Sequence, residues 1–192
     1  LAKDAAKLGA ELFVLDDGWF GARDNDAKGL GDYTVNRKKL PGGLASLAEK
    51  VHALGLLFGL WFEPEMVSPD SDLYRAHPDW ALHIPDRPRS EGRHQLILDL
   101  TRQDVQDYLY DSIADILKTG MISYVKWDFN RNMAEVGSAL LDARRQCEIP
   151  HRYYLGLYAL LERLVTAFPD VLFESCSGGG SLKNFSTLER MS

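Results

Sequence analysis

Residues 101–128 read TRQDVQDYLYDSIADILKTGMISYVKWD, and this stretch decides the fold. Its first part puts Val105, Leu109, Ile113, Ile116 and Leu117 on one stripe of a helix. Thr101 reads as the N-cap, with Asp104 three residues on as its capping-box partner. Gly120 stops the helix. Residues 122–127 then read as a short, mostly apolar strand that runs directly into Asp128. A helix feeding a short buried strand is the repeating unit of an alternating α/β fold.

The unit recurs on both sides. Upstream, Leu12-Phe13-Val14-Leu15 is a strand, a helix spans 44–54, and 56–61 is the next strand. Residues 95–98 give a shorter strand before the quoted stretch. Downstream, a helix over 152–168 ends before Pro169, and 171–173 is the last strand. Strands alternating with helices predict a parallel sheet. An open doubly wound sheet should offer a glycine-rich phosphate turn after its first strand. The glycine cluster here, Gly178-Gly179-Gly180, comes near the end and lacks that spacing. A closed barrel instead carries its functional residues at the C-terminal ends of the strands. These strands run into Asp16-Asp17, Glu63, Asp99, Asp128 and Glu174. The expectation is an incomplete (β/α)8 TIM barrel over residues 1–180, with about five strands present and 181–192 as a separate tail. A full barrel takes ~250 residues. The opening residues 1–8 read as the end of a helix already under way, so a fragment is expected.

Composition narrows the partners. The net charge is -6, and the basic pairs Lys38-Lys39 and Arg144-Arg145 build no clustered face, which argues against nucleic acid. No apolar run approaches the ~20 residues of a membrane span. The two cysteines, Cys147 and Cys176, form no disulfide framework and fit a reducing, cytoplasmic compartment. His52, His77, His83, His94 and His151 are scattered without metal-ligand spacing, so neither a metal nor another cofactor is expected.

The strand ends carry the chemistry. Three of them pair tryptophan with carboxylate: Asp16-Asp17-Gly18-Trp19, Trp61-Phe62-Glu63-Pro64-Glu65 and Lys126-Trp127-Asp128-Phe129-Asn130. An indole can stack on the C–H face of a sugar while carboxylates accept from its hydroxyls. Each tryptophan alone fits core packing equally well; three on one rim favour a sugar. Glycoside hydrolysis uses two carboxyl groups, and Asp128, held rigidly after a strand, is the candidate nucleophile. Lys126 lies two residues earlier, on the same face of an extended strand, where its charge can keep the carboxylate ionised. A simple Lys–Asp pair in the barrel interior is the plainer alternative. Glu63 and Glu65, separated by Pro64, read as support for a shaped loop.

In order along the chain, 15–20, 61–66, 92–95, 126–131 and 174–180 resemble the motifs of the melibiase-type α-galactosidases, glycoside hydrolase family thirty-six. The resemblance runs over about residues 1–180. It implies a retaining enzyme acting on terminal α-linked galactose, as in melibiose or raffinose, with Asp128 as nucleophile. It implies that Asp16 and Asp17 grip the galactose 4- and 6-hydroxyls and that Trp61 forms an aromatic wall. Arg93, Lys126, Asn130, Cys176 and Gly179 match positions lining the galactose pocket. Relatives of this kind are often homo-oligomers. The family's acid/base aspartate follows Gly180, and residues 181–192 match nothing there. The chain alone is therefore expected to be a poor or inactive hydrolase. Two other readings stay open: a non-catalytic barrel piece that binds galactose, and a relative that transfers galactose to another sugar.

Overall fold

The structure is a computed structural model and describes residues 1–134 and 136–176. The elements follow in the order α1 (Ala2–Lys7), β1 (Leu12–Leu15), α2 (Gly43–His52), β2 (Leu57–Phe62), β3 (Met66–Val67), α3 (Asp72–Ala76), β4 (Leu96–Ile97), α4 (Gln103–Leu117), β5 (Tyr124–Trp127), α5 (Ile149–Ala167) and β6 (Leu172–Ser175). Four strands form one sheet in the order β1-β2-β5-β6, and every neighbouring pair is parallel. Helices fill the connections, as parallel neighbours require.

The helical stripes seen in the sequence are the core. Val105, Leu109, Ile113, Ile116 and Leu117 of α4 are all buried, as are Leu44, Ala48 and Val51 of α2. Each of the valine, leucine and isoleucine side chains contributes about 1.5–3 kcal/mol by leaving water. Helix α5 adds Tyr153, Leu157, Leu160, Leu161 and Leu164. Gly156 lets α5 sit close to the chain before α4: a Cβ there would lie 1.9 Å from the Leu100 carbonyl oxygen.

The sheet has two unlike faces. Phe58, Leu60 and Phe62 of β2, Val125 and Trp127 of β5 and Phe173 of β6 are buried on the covered face. The alternate residues point the other way. That second face begins with Leu57 and Leu172, each 54% exposed, and runs up to Lys126 and Glu174. In phase with these rows, just beyond the strand ends, come Asp16, Asp128 and Cys176.

Two expectations fail here. The strand read over 95–98 is not a member of the parallel sheet. Leu96–Ile97 pairs antiparallel with Met66–Val67, forming a separate two-stranded ribbon. Among the described residues the parallel sheet thus has four strands rather than about five, and it is not closed into a barrel. A run of apolar residues reports burial and is silent about the partner. The capping box at Thr101 is also absent. The cap residue of α4 is Arg102, and Asp99 accepts from the Thr101 backbone N–H at 3.0 Å and from its hydroxyl at 2.6 Å. Asp99 also takes the Ser138 hydroxyl and is fully buried, so it braces a loop.

Candidate active site

Asp128 leaves β5 with its backbone N–H donating to the Phe62 carbonyl at 2.8 Å, which continues the β2–β5 ladder by one residue. Its side chain is 7% exposed. Oδ1 accepts the Phe129 backbone N–H at 2.9 Å. Oδ2 accepts the Trp61 indole N–H at 3.0 Å and the Asn130 amide at 2.5 Å. Donors on both oxygens fix how the carboxylate is presented.

Lys126 stands beside this carboxylate, but its direct partner is Asp16. Nζ lies 2.9 Å from Asp16 Oδ2. Sequence spacing placed Lys126 and Asp128 on one face; it gave no sign that β1 would bring the closer anion. Burial acts to raise the Asp16 carboxyl, yet the Lys126 ammonium and the Asp17 backbone N–H outweigh it, and the carboxyl lies below its ordinary value. The hydrogen bond from Lys126 to Asp16 raises the ammonium in turn. Burial, and then the Asp128 carboxylate beside it, push the Cys176 thiol up. Four strand ends thus converge: Asp16 from β1, Trp61 from β2, Lys126 and Asp128 from β5, and Cys176 from β6.

Asp17 is held by a residue that sequence reasoning missed. Arg23, 3% exposed, grips it with Nε at 2.9 and 3.2 Å and with Nη2 at 2.9 Å. Its Nη1 ties down the carbonyls of Asp26 and Lys28. The available signal was one arginine six residues after the aspartate pair, within an Asp- and Gly-rich loop.

The tryptophans are corrected in part. Trp19 is 2% exposed and Trp127 is fully buried, so neither is an open platform for a sugar. Trp19 donates to the Trp61 carbonyl at 2.9 Å, and Trp127 donates to Glu65 at 2.8 Å. The Trp61 ring, expected as an aromatic wall, stacks on Phe20 at 6.3 Å and is 3% exposed, so in this chain it is no more open to a sugar than the other two. Arg93 sits at the tip of a tight turn closed by hydrogen bonds between Gly92 and Gln95, and both Arg93 and His94 have positive φ. The turn approaches the site through Gln95, whose amide reaches Glu63 at 2.9 Å. Gly179 lies outside the described residues. Among the described residues no cluster of His, Cys, Asp or Glu could hold a metal ion. No helix there is long and apolar enough to cross a membrane.

The family model described as Melibiase matches residues 1–192. The chain belongs to the Melibiase family. It is 61% identical to the α-galactosidase AgaA of Geobacillus stearothermophilus over 180 residues, covering 94% of this chain and 25% of that protein. Among solved structures, a variant of the same AgaA in complex with raffinose superposes with a TM-score of 0.90 at 60% identity, covering 93% of this chain and 25% of that one. Another, in complex with 1-deoxygalactonojirimycin, gives a TM-score of 0.95 at 57% identity, covering 99% of this chain and 26% of that one. The chain therefore spans about a quarter of the relatives it matches. In this chain the Asp16–Lys126 pair and the triply held Asp128 lie together at the ends of the parallel strands.

Proposed function

We propose that this chain supplies the nucleophile side of the active site of a retaining α-galactosidase built on a (β/α)8 barrel. The observation that carries the reading is the presentation of Asp128 by Trp61 and Asn130, at the end of a parallel strand and beside the Lys126–Asp16 pair. The family membership supports the same assignment.

In the proposed reaction an Asp128 oxygen attacks the anomeric carbon of a terminal α-galactosyl unit. The new C1–O bond forms as the C1–aglycone bond breaks. A second carboxyl group protonates the departing oxygen. Water then attacks C1 of the galactosyl-enzyme ester, gives up its proton to that same group, and releases galactose with its configuration retained. Asp16 and Asp17 accept from the galactose hydroxyls, and an axial 4-hydroxyl reaches them where an equatorial one would point elsewhere. Arg93, Asn130, Cys176 and Gly179 complete the galactose pocket. The substrates are galactosides such as melibiose and raffinose, and the two cysteines fit a cytoplasmic setting.

The test is a chimera in which the 180 aligned residues of this chain replace their counterparts in AgaA. It should turn over an aryl α-galactoside. Asp128→Gly should lower turnover by ~1000-fold or more. Added azide should restore release of the aryl group and give the β-galactosyl azide, because azide enters from the face the carboxylate vacates. An Asp128→Gly chimera as active as its parent removes the assignment. With an acceptor sugar present, the ratio of free galactose to transferred galactose decides between hydrolysis and transfer.

A further inference from the structure

Glu63 is a buried carboxyl that the reaction above does not use. It follows β2 directly and is 1% exposed. Oε1 accepts the Asn130 backbone N–H at 2.9 Å, and Oε2 accepts the Gln95 side-chain amide at 2.9 Å. Asn130 is the residue whose own amide holds Asp128. A chain of three groups thus leads from Gln95 through Glu63 and Asn130 to the nucleophile. Gln95 is 1% exposed, and its Oε1 is one of two buried side-chain polar atoms among the described residues without a hydrogen-bond partner. Its orientation is therefore set by what Glu63 accepts, at the expense of its own oxygen.

We propose that Glu63 is a positioning residue for Asp128, acting through Asn130, and that it gains and loses one proton while holding that turn, with the Gln95 amide rotating to follow. Glu63 ionised accepts two N–H groups. Glu63 protonated becomes a donor on one oxygen, and half a turn of the Gln95 amide offers it Oε1 as the acceptor. Burial, followed by the charge of Asp128, raises the Glu63 carboxyl to about 7. The titratable groups facing it are Asp128 from the end of β5 and the buried phenol of Tyr33 from the loop between β1 and α2. Ionised Glu63 adds a second negative charge linked to Asp128 through Asn130, and negative charge on that side favours the positive charge that develops on the sugar in the transition state.

This inference rests on Asp128 being the nucleophile. The test is the pH dependence of kcat/KM in the same chimera, on an activated aryl α-galactoside whose departure needs no acid. The parent should rise by ~10-fold through an inflection near 7. Glu63→Gln imitates the protonated form and can pair with Gln95 Oε1. It should match the parent below the inflection and stay flat above it. Glu63→Gln falling short by one constant factor at every pH, or matching the parent throughout, overturns the proposal. Azide rescue of Asp128→Gly in these backgrounds keeps the two questions apart: its failure counts against the nucleophile and not against Glu63.

Discussion

At the scale of single residues, Asp128 was legible because a strand end fixes a carboxylate without help from distant chain. Its partners were not. Lys126 and Asp128 share a face by alternation, but Asp16, more than a hundred residues earlier, takes the ammonium. Only the pairing of β1 with β2 and of β2 with β5 brings them together. The pair has a definite pH signature. Asp16 lies below its ordinary value of 3.8, so it stabilises the fold fully above 3.8 and loses that contribution as pH falls through the lowered value. Lys126 lies above its ordinary 10.5, so its contribution is complete below 10.5 and fades as pH rises through the raised value. The pair therefore acts across the whole interval between them. The Asp16 side chain is 60% exposed, which limits its contribution to under about 1 kcal/mol. Asp16→Asn should lower the urea midpoint by the same small amount at about pH 6 and about pH 8, with the difference closing in acid. A difference between variants that vanishes at neutral pH and grows in acid would contradict the pairing.

At the scale of elements, the helices were read well and the short strands less so. Helix periodicity repeats over many residues, so α4 and α5 declare their inner faces. A two-residue strand such as Leu96–Ile97 has no periodicity to read, and its partner Met66–Val67 follows Pro64 in what looks like loop. The turn that aims β4, with Arg93 and His94 at positive φ, carries no glycine at either position to announce it. One helix position makes a sharp prediction. Alanine at Gly156 should gain ~1 kcal/mol of helix propensity. Its Cβ would nevertheless meet the Leu100 carbonyl oxygen at 1.9 Å. That atom is backbone, already bonded to the Gln106 amide at 2.9 Å, and cannot swing aside. Overpacking of this kind costs roughly 1–3 kcal/mol or more. Gly156→Ala should therefore melt several degrees lower in calorimetry, and a raised midpoint would show that α5 can slide.

At the scale of the whole molecule, the described sheet is flanked by β1 and β6, each paired on one side. Outer strands with unpaired backbone groups invite association, and Leu57 and Leu172 expose apolar surface next to them. Light scattering across a dilution series should find the isolated chain as concentration-dependent oligomers; a monomer at every concentration would mean that these edges are satisfied within the chain. The alternation of strands and helices made the parallel sheet legible, but the sequence overstated its strand count because buried apolar runs look alike in a sheet and in a ribbon. The bare face of the sheet carries one more consequence. Its leucines lie at the foot of the strands, while its carboxylates and Lys126 lie at the head. Any surface that packs onto the leucines plugs the foot and leaves the charged head as the sole doorway. Whatever reaches Asp128 would then go in and come out by the same opening, a geometry that admits the end of a chain and cannot thread a long polymer through.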